Sequence, residues 1–342
     1  MSPDLLQHFD LSVYVSLAFL FGISAQFRAM DGYLFLRRTL RAFETRVGML
    51  YAVVIVTSLF SPLILNDVVV LILTPVLIKY AKQSGVDIAP LVVAEITFTN
   101  IASSLTPLGN PQNILLWQSS GVSATGFVSE TALPVLLAGL ISACLLYPLS
   151  RRMRGPEDPP AVNGPTRPGL YLVLVVVAVF SSAFLGVPSV FALGISFLLG
   201  FAFTYRHLLR ILVEFDLRSL VILYLLVASV TVVAFAVEPL AASTASRAAS
   251  GVQPFSALFV GLLSAAISNV PTTQLILGLT TVSKHAAPVI AVEAGLAGNI
   301  DPVSSFANVL ALLMVKRAGL PIRRAVLLQL VVGVISFLPA FI

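Results

Sequence analysis

Amide, hydroxyl and carboxyl side chains interrupt four long apolar stretches of this sequence. Such groups can bind a small polar solute, and backbone carbonyls freed by a break in a helix can replace the hydration shell of a cation. The predicted lining of a binding site comprises Asn66, Asp67, Thr106, Gly109, Asn110 and Asn113 from the first half and Ser268, Asn269, Thr272, Asp301, Ser304, Ser305 and Asn308 from the second. The other interpretation is that these groups only satisfy one another between helices. Their matched positions in two halves favour a binding site.

Four carboxylates lie within otherwise apolar segments: Asp67, Glu95, Glu293 and Asp301. No Lys or Arg occupies the same depth, so a carboxylate there can exchange protons or bind a cation such as Na⁺. We predict this role for Asp67 and Asp301, which fall at a predicted hairpin tip and a predicted break. Glu95 and Glu293 lie about two to three turns before the breaks. A hydrogen bond between helices explains those two as well as a proton relay does.

The composition places these groups in a lipid bilayer. Hydrophobic residues make up 58% of the 342 residues and charged residues only 10%, with a mean hydropathy of +1.00. Values like these lie outside the range of soluble domains. The basic residues form short clusters between apolar runs, so they indicate membrane topology and not nucleic-acid binding. We expect a multi-pass protein of the cytoplasmic membrane that contacts lipid.

Enzymatic and metal-dependent functions find no support in the sequence. Cys144 is the only cysteine, which excludes a disulfide or a thiolate metal site within one chain. Neither Gly-x-Ser-x-Gly nor Gly-x-Gly-Asp, the motifs of serine and paired-aspartate enzymes, occurs. We therefore expect no catalytic residue, no metal and no cofactor. The predicted partner is a small inorganic ion, with H⁺ or Na⁺ as the coupling ion.

Uncharged runs and basic clusters together predict the topology. The runs that can each cross once are residues 11–27, 132–150, 169–186, 187–204, 219–237 and 325–342. The basic clusters at residues 28–46, 79–82, 151–154, 206–218 and 316–324 belong in the cytoplasm by the positive-inside rule. This assignment puts the N-terminus outside. A basic segment at residues 37–43 is typical of an interfacial helix that anchors the chain on the cytoplasmic side.

Two apolar runs of 32 residues are too long for one crossing and too short for two with a turn. Residues 47–78 have basic clusters at both ends, and Pro62, Asn66 and Asp67 lie near their centre. Residues 252–283 have Ser268 to Pro271 at their centre and should be flanked by the outside. We predict two re-entrant hairpins that enter the membrane from opposite faces.

A stretch of 30 residues follows each hairpin, and the two stretches match internally. In residues 88–117, the run TPLGNPQN extends from Thr106 to Asn113. In residues 286–315, its counterpart DPVSSFAN extends from Asp301 to Asn308. Proline with small and amide residues at mid-membrane predicts an unwound helix whose freed backbone groups face protein, water or ligand.

The predicted fold class is an all-α polytopic membrane protein with two inverted-topology repeats. Each repeat has a re-entrant hairpin and a discontinuous transmembrane helix, for about eight crossings and two hairpins in total. The N-terminal repeat comprises residues 1–150 and the C-terminal repeat residues 169–342. Residues 151–168, rich in proline and charge, should form a cytoplasmic linker.

The Leu-Asn-Asp tip at residues 65–67, the Leu-Thr-Pro at 73–75, the TPLGNPQN run and the Ser-Asn-Val-Pro tip at 268–271 resemble the ion transporter superfamily. This superfamily includes arsenite permeases and sodium/proton antiporters. The resemblance covers roughly residue 22 to the C-terminus and is closest to bacterial and archaeal anion permeases. It implies an elevator-type carrier, often a homodimer, that encloses one substrate and its coupling ion.

Two departures from the family pattern concern substrate and scaffold. The second break of the family usually reads Thr-Pro-Ile-Gly-Ser, whereas this chain places the carboxylate of Asp301 first. In addition, residues 169–204 form two crossings that have no counterpart before residue 11. The sequence therefore resembles a shortened family member.

Three transport functions follow from these patterns, in order of preference. The first is proton- or sodium-coupled transport of a small inorganic oxyanion or a neutral oxyacid such as arsenite, because a neutral acid needs no basic residue. The second is sodium/proton antiport through the intramembrane carboxylates, and the third is sodium-coupled dicarboxylate transport. A channel lined by the same residues is a further alternative.

Overall fold

The computed structural model describes residues 11–150, 167–184, 187, 189–215 and 217–342. Within these ranges the chain is helical and has no β-strand. The first half contains α1 (Leu11–Ala29), α2 (Gly32–Val47), α3 (Met49–Phe60), α4 (Asn66–Ser84), α5 (Ala89–Ser103), α6 (Pro111–Ser120) and α7 (Ala124–Ser150). These bounds confirm an all-α fold for the first half.

The second half begins with α8 (Arg167–Phe184), α9 (Ser189–Thr204), α10 (Leu208–Glu214) and α11 (Leu217–Ala249). It continues with α12 (Phe255–Ile267), α13 (Asn269–Leu279), α14 (Ala286–Ala297), α15 (Phe306–Arg317) and α16 (Arg323–Ser336). Short 3₁₀ helices cover Tyr205–His207 and Leu338–Phe341. Of the predicted linker, residues 151–166 lie outside the described residues, and its last two residues belong to α8.

Each uncharged run that was predicted to cross the membrane contains a helix. Among the described residues, Ala124–Ser150 and Arg323–Phe341 are long and apolar enough to span a bilayer, and six further apolar stretches of helix are 10–17 residues long. Large apolar side chains stay exposed on the outer helices, with Leu136 and Leu140 of α7 and Leu198 of α9 about two-thirds exposed. Such apolar surfaces are suited to contact with lipid. These features fit a polytopic membrane protein.

The segments before the two breaks form the centre of the molecule. Every residue of α5 is buried, and so is every residue of α14 except Val289. α3 packs on α5 as α12 packs on α14, and across the halves α15 packs on α4 as α6 packs on α13. A polar side chain on α5 or α14 therefore faces protein and not lipid, which decides what its chemistry can be.

Local sequence explains where these helices begin and end. Gly48 has φ 81° and is the single residue between α2 and α3, a backbone conformation that residues with a Cβ rarely adopt. Pro90 lies in the first turn of α5 and Pro111 in the first turn of α6, where a helix does not need their missing N–H. The predicted interfacial segment lies within α2, which buries Leu36 and Leu40 and exposes Arg38 and Arg46.

Candidate functional site

The break between α5 and α6 is closed by one asparagine. Asn113 Nδ2 donates hydrogen bonds to the carbonyl of Ser103 at 2.9 Å and to that of Thr106 at 2.8 Å. Asn110 is extended, with φ −141° and ψ 148°, and α6 then begins at Pro111. The asparagine thus supplies donors to carbonyls that the interrupted helix leaves unpaired.

The break between α14 and α15 has the same construction. Asn308 Nδ2 donates to the carbonyl of Gly298 at 2.5 Å and to that of Asp301 at 3.1 Å. Ser305 is extended, with φ −137° and ψ 138°, directly before α15. Each of these residues lies 195 positions after its counterpart in the first break. The sequence match between the two runs therefore corresponds to matched hydrogen bonds.

A backbone hydrogen bond also joins each break to the first residue of a neighbouring helix. The backbone N–H of Asn66, the first residue of α4, donates to the carbonyl of Gly109 at 2.9 Å. The N–H of Asn269, the first residue of α13, donates to the carbonyl of Ser304 at 3.1 Å. Residues 61–65 connect α3 to α4, whereas Ser268 alone connects α12 to α13. Ser268 has φ 75°, which is strained for a residue with a side chain.

Asn100 of α5 joins the two halves and is absent from the set predicted from the sequence. Its Nδ2 lies 3.1 Å from the carbonyl of Gly298, 3.0 Å from Asn299 Oδ1 and 2.9 Å from Asn308 Oδ1, and its Oδ1 accepts from Ser305 Oγ at 3.0 Å. The side chain is fully buried. An amide in an apolar helix just before a break was the sequence signal that could have identified it.

The ends of four helices surround a cavity of about 260 Å³. Its lining includes the first residue of each of α4, α6, α13 and α15: Asn66, Pro111, Asn269 and Phe306. Further polar lining comes from Asp67, Gln112, Ser268 and Ser305, and apolar side chains such as Phe21, Ile222 and Val309 complete the wall. The lining contains no Lys, Arg or His among the residues that the structure describes.

Five of the predicted site residues line this cavity: Asn66, Asp67, Ser268, Asn269 and Ser305. Most of the other predicted residues belong to the breaks behind it. Thr106 donates to the carbonyl of Pro62, Ser304 Oγ donates to the carbonyl of Gly298, and Thr272 of α13 donates to the carbonyl of Ser268, directly before that helix. Asp301 Oδ1 accepts the N–H groups of Val303 and Ser304 at 2.6 and 2.9 Å. Asp301 therefore stabilises a turn and does not reach the cavity.

Gln112 is the second residue absent from the set predicted from the sequence. It lines the cavity and is fully buried, yet neither its Oε1 nor its Nε2 has a hydrogen-bond partner. A buried amide without partners costs folding free energy, about 1–3 kcal/mol for an unsatisfied group. Its position in TPLGNPQN was visible, but the sequence did not tell which amides of the run bond to the protein. A bound solute could satisfy this one.

The two buried glutamates lie away from the cavity. Glu95 accepts from Thr74 Oγ1, at 2.9 Å to each carboxyl oxygen. Glu293 accepts from Gln253 Nε2 at 2.6 Å and from Ser256 Oγ at 2.7 Å. Neither forms an ion pair with any described residue. In the first half this hydrogen bond joins α5 to α4. In the second half the two hydrogen bonds join α14 to α12 and to the residues just before α12.

The electrostatic potential in the cavity depends on the four helix N-termini that surround it. The N-terminus of a helix carries a partial positive charge of about half a unit, so four such ends favour oxygen-rich solutes. The carboxylate of Asp67 opposes a high negative charge at the same place. The arrangement suits a solute with several oxygens and little net charge.

Comparison with known proteins gives the following similarities. The sequence profile of CitMHS, the citrate transporter family, matches residues 2–297. The uncharacterized transporter Rv2685 of Mycobacterium tuberculosis is 26% identical over 311 residues, covering 82% of this chain and 72% of that protein. The inner membrane protein YbiR of Escherichia coli is 34% identical over 110 residues, 32% of this chain and 29% of that protein. The silicon efflux transporter LSI3 of Oryza sativa is 38% identical over 88 residues, 26% of this chain and 18% of that protein.

Proposed function

Because the chain belongs to the citrate transporter family of membrane transporters, we propose that it carries a small neutral oxyacid or an inorganic oxyanion by secondary active transport. The observation that carries this proposal is the cavity in which four helix N-termini meet, with Gln112 buried and without a partner. A carboxamide both donates and accepts hydrogen bonds. It therefore matches a solute that carries both hydroxyl hydrogens and oxygen acceptors.

The charge balance of the cavity separates the candidate substrates. Citrate, which gives the family its name, carries about three negative charges at neutral pH. Asp67 would repel it, and the described lining supplies no cationic side chain to compensate. Arsenous and silicic acids are uncharged at neutral pH and carry several hydroxyl groups. We therefore rank a neutral oxyacid first, an oxyanion second and a carboxylate substrate last.

We propose two inverted repeats as the scaffold of an elevator-type mechanism. Support comes from the paired bonds of Asn113 and Asn308, and from the paired anchoring of Asn66 and Asn269. The helix pairs α3–α4 and α12–α13 would be the re-entrant hairpins. Their tips and both breaks would then move together as one body, since the same hydrogen bonds join them.

The proposed location is the cytoplasmic membrane with the N-terminus outside. Segments assigned to the cytoplasm contact one another: Arg210 pairs with Asp31 at 2.6 Å, and Arg324 pairs with Asp87. Toward the predicted outer side, Gln118 Nε2 near the end of α6 donates to Ser16 Oγ in the first half of α1 at 2.5 Å. Both kinds of contact are consistent with the positive-inside assignment.

Sodium/proton antiport is the second candidate function. Asp67 favours it, because a carboxylate in the cavity wall can bind Na⁺ or a proton in turn. The buried carboxyl groups of Glu95 and Glu293 provide further sites for a coupling proton. In the oxyacid carrier these same groups would couple transport to H⁺ or Na⁺.

A current and stability screen tests the proposal. The full chain is reconstituted in liposomes on a solid-supported membrane and exposed to arsenite, silicic acid, phosphate, sulfate, citrate, dicarboxylates, Na⁺ and Li⁺ over a range of pH. In parallel, the same solutes are tested for thermal stabilisation of the purified protein. Stabilisation and pH- or Na⁺-dependent current with an oxyacid or oxyanion are expected. A response to Na⁺ or Li⁺ alone would replace the proposal by antiport, and a response to citrate alone would contradict the charge argument.

A further inference from the structure

A second pocket lies between α2 and the C-terminal end of α4, apart from the cavity described above. Its volume is about 50 Å³, which is room for a group of a few heavy atoms. The polar side chains that line it are Arg37, Arg41 and Glu44 from α2 and Lys79, Tyr80 and Gln83 from α4. We call this the basic pocket.

Cations outnumber carboxylates in the basic pocket by three to one. Arg41 pairs with Glu44, whose side chain is only 8% exposed. Among the described residues, Arg37 and Lys79 have neither an ion-pair nor a hydrogen-bond partner. Like charges that share a small pocket repel each other, so a bound anion would lower the free energy of this arrangement.

Two hydroxyl groups in or beside the basic pocket lack a hydrogen bond of ordinary geometry. The Tyr80 side chain is 7% exposed, and its hydroxyl lies near Glu44 and Ser84 without a hydrogen bond of ordinary geometry to either. Ser84 Oγ is likewise buried and, apart from its closeness to the Tyr80 hydroxyl, has no hydrogen bond of ordinary geometry. The basic pocket therefore brings guanidinium, ammonium and hydroxyl groups close together. Such hydrogen-bond donors bind the oxygens of phosphate groups in proteins.

We propose that the basic pocket binds a phosphate group, either the phosphodiester of an anionic lipid or free phosphate. Arg37 and Lys79 supply the charge, Tyr80 donates a hydrogen bond, and the Arg41–Glu44 pair holds the α2 wall in place. α2 suits an interfacial position where lipid headgroups lie, because it buries Leu36 and Leu40 and exposes Arg38 and Arg46.

Thermal-shift titration of the full-length chain in a neutral detergent tests this site. The probes are dioctanoyl phosphatidylglycerol, dioctanoyl phosphatidylcholine and inorganic phosphate, and each apparent Kd follows from the ligand dependence of Tm. Arg37→Gln/Lys79→Gln is expected to weaken binding of the phosphatidylglycerol by about tenfold or more. The matched control is Arg46→Gln/Lys82→Gln, which removes the same charge from the same two helices outside the pocket and should change binding by less than about twofold.

The probes distinguish the source of the phosphate group. Stabilisation by phosphatidylglycerol alone assigns the site to an anionic lipid, and equal stabilisation by inorganic phosphate assigns it to free phosphate. If both double variants weakened phosphatidylglycerol binding equally, the lipid would be attracted by positive charge in general and not by this pocket, and the proposal would be overturned. Binding of none of the three probes would overturn it too.

A milder variant covers the case in which the double variant does not fold. Tyr80→Phe removes only the hydroxyl and is expected to weaken phosphate-group binding by about threefold to tenfold. If Tyr80→Phe bound the phosphate group with wild-type affinity, Tyr80 would not donate the proposed hydrogen bond. That result would contradict the proposed geometry. Arg37→Lys/Lys79→Arg, which keeps both charges, should bind within about threefold of the wild type.

Discussion

At the scale of single residues, we expect the Gln112 side chain to contribute to solute binding and not to the stability of the fold. Because its two polar atoms have no partner in the protein, Gln112→Met should leave Tm unchanged or raise it, by an amount equivalent to about 1–2 kcal/mol. The same substitution removes the carboxamide from the cavity wall. With arsenite as the probe, we expect the apparent Kd to rise about tenfold or more, measured by thermal-shift titration.

Gln26 provides the matched control for Gln112. It is also fully buried, but its Nε2 donates to the carbonyl of Phe197 at 2.9 Å and its Oε1 accepts from the Tyr171 hydroxyl at 2.5 Å. Gln26→Met should therefore lower Tm and leave arsenite affinity within about twofold. A loss of stability in Gln112→Met like that of Gln26→Met would contradict the assignment of Gln112 to a ligand.

Asn100 has the opposite role, because its bonds are all made within the protein. Asn100→Ala removes contacts to Gly298, Asn299, Asn308 and Ser305. At about 0.6 kcal/mol for each hydrogen bond inside a membrane protein, the loss is about 2 kcal/mol. We expect a lower Tm together with weaker solute binding, because the two breaks lose their link.

A neighbour on the same helix is the control for Asn100. Thr97 is also fully buried in α5, but its hydroxyl has no hydrogen-bond partner. Thr97→Val should therefore leave Tm unchanged or slightly raised. If Thr97→Val and Asn100→Ala lowered Tm equally, packing volume and not the amide network would determine stability at this helix.

At the scale of elements, the break between α5 and α6 requires close backbone approach. A Cβ on Gly109 would lie 2.1 Å from the carbonyl oxygen of Ser103, and backbone at this point cannot move without disturbing Asn113. Gly109→Ala is expected to cost about 3 kcal/mol or to prevent folding. Gly139→Ala in α7, whose Cβ would meet only Phe98 at 3.9 Å, should be nearly neutral. Tm and monodispersity in size-exclusion chromatography measure both, and similar behaviour of the two would contradict this account.

Apolar runs and their interruptions predict the helices well. The run at residues 88–117 contains a helix, a break and a helix, as expected, and so does the run at 286–315. Boundaries were less accurate, since α4 extends to Ser84 and α13 ends at Leu279. Hydropathy does not fix such ends, because they depend on caps such as Gly85, which has φ 64°.

The lining of the candidate site was predicted in part, for a physical reason. Sequence gives the residues at tips and breaks, and five of these do line the cavity. It does not tell which amide groups are hydrogen-bonded to the protein, as the Nδ2 groups of Asn113 and Asn308 are, and which have no protein partner, as in Gln112. That distinction depends on distances across the two halves, which are far apart in the sequence.

At the scale of the whole molecule, the proposed inverted repeats predict that equivalent positions in the two halves face opposite sides of the membrane. Gln83, near the end of α4, should be cytoplasmic, and Lys284, after α13, should be outside; both are exposed. Ser123, after α6, should likewise be outside, and Arg317, at the end of α15, cytoplasmic. In each pair the two residues occupy corresponding places in the repeats.

Single-cysteine labelling tests this arrangement in intact cells. Cys144→Ala removes the native thiol, and each of the four positions is then changed to cysteine and treated with a membrane-impermeant maleimide. Lys284→Cys and Ser123→Cys should label at once, whereas Gln83→Cys and Arg317→Cys should label only after the cells are permeabilised. Labelling of both Gln83→Cys and Lys284→Cys from one side would exclude inverted repeats. Complete reversal of the pattern would keep the repeats and place the N-terminus in the cytoplasm, against the positive-inside rule.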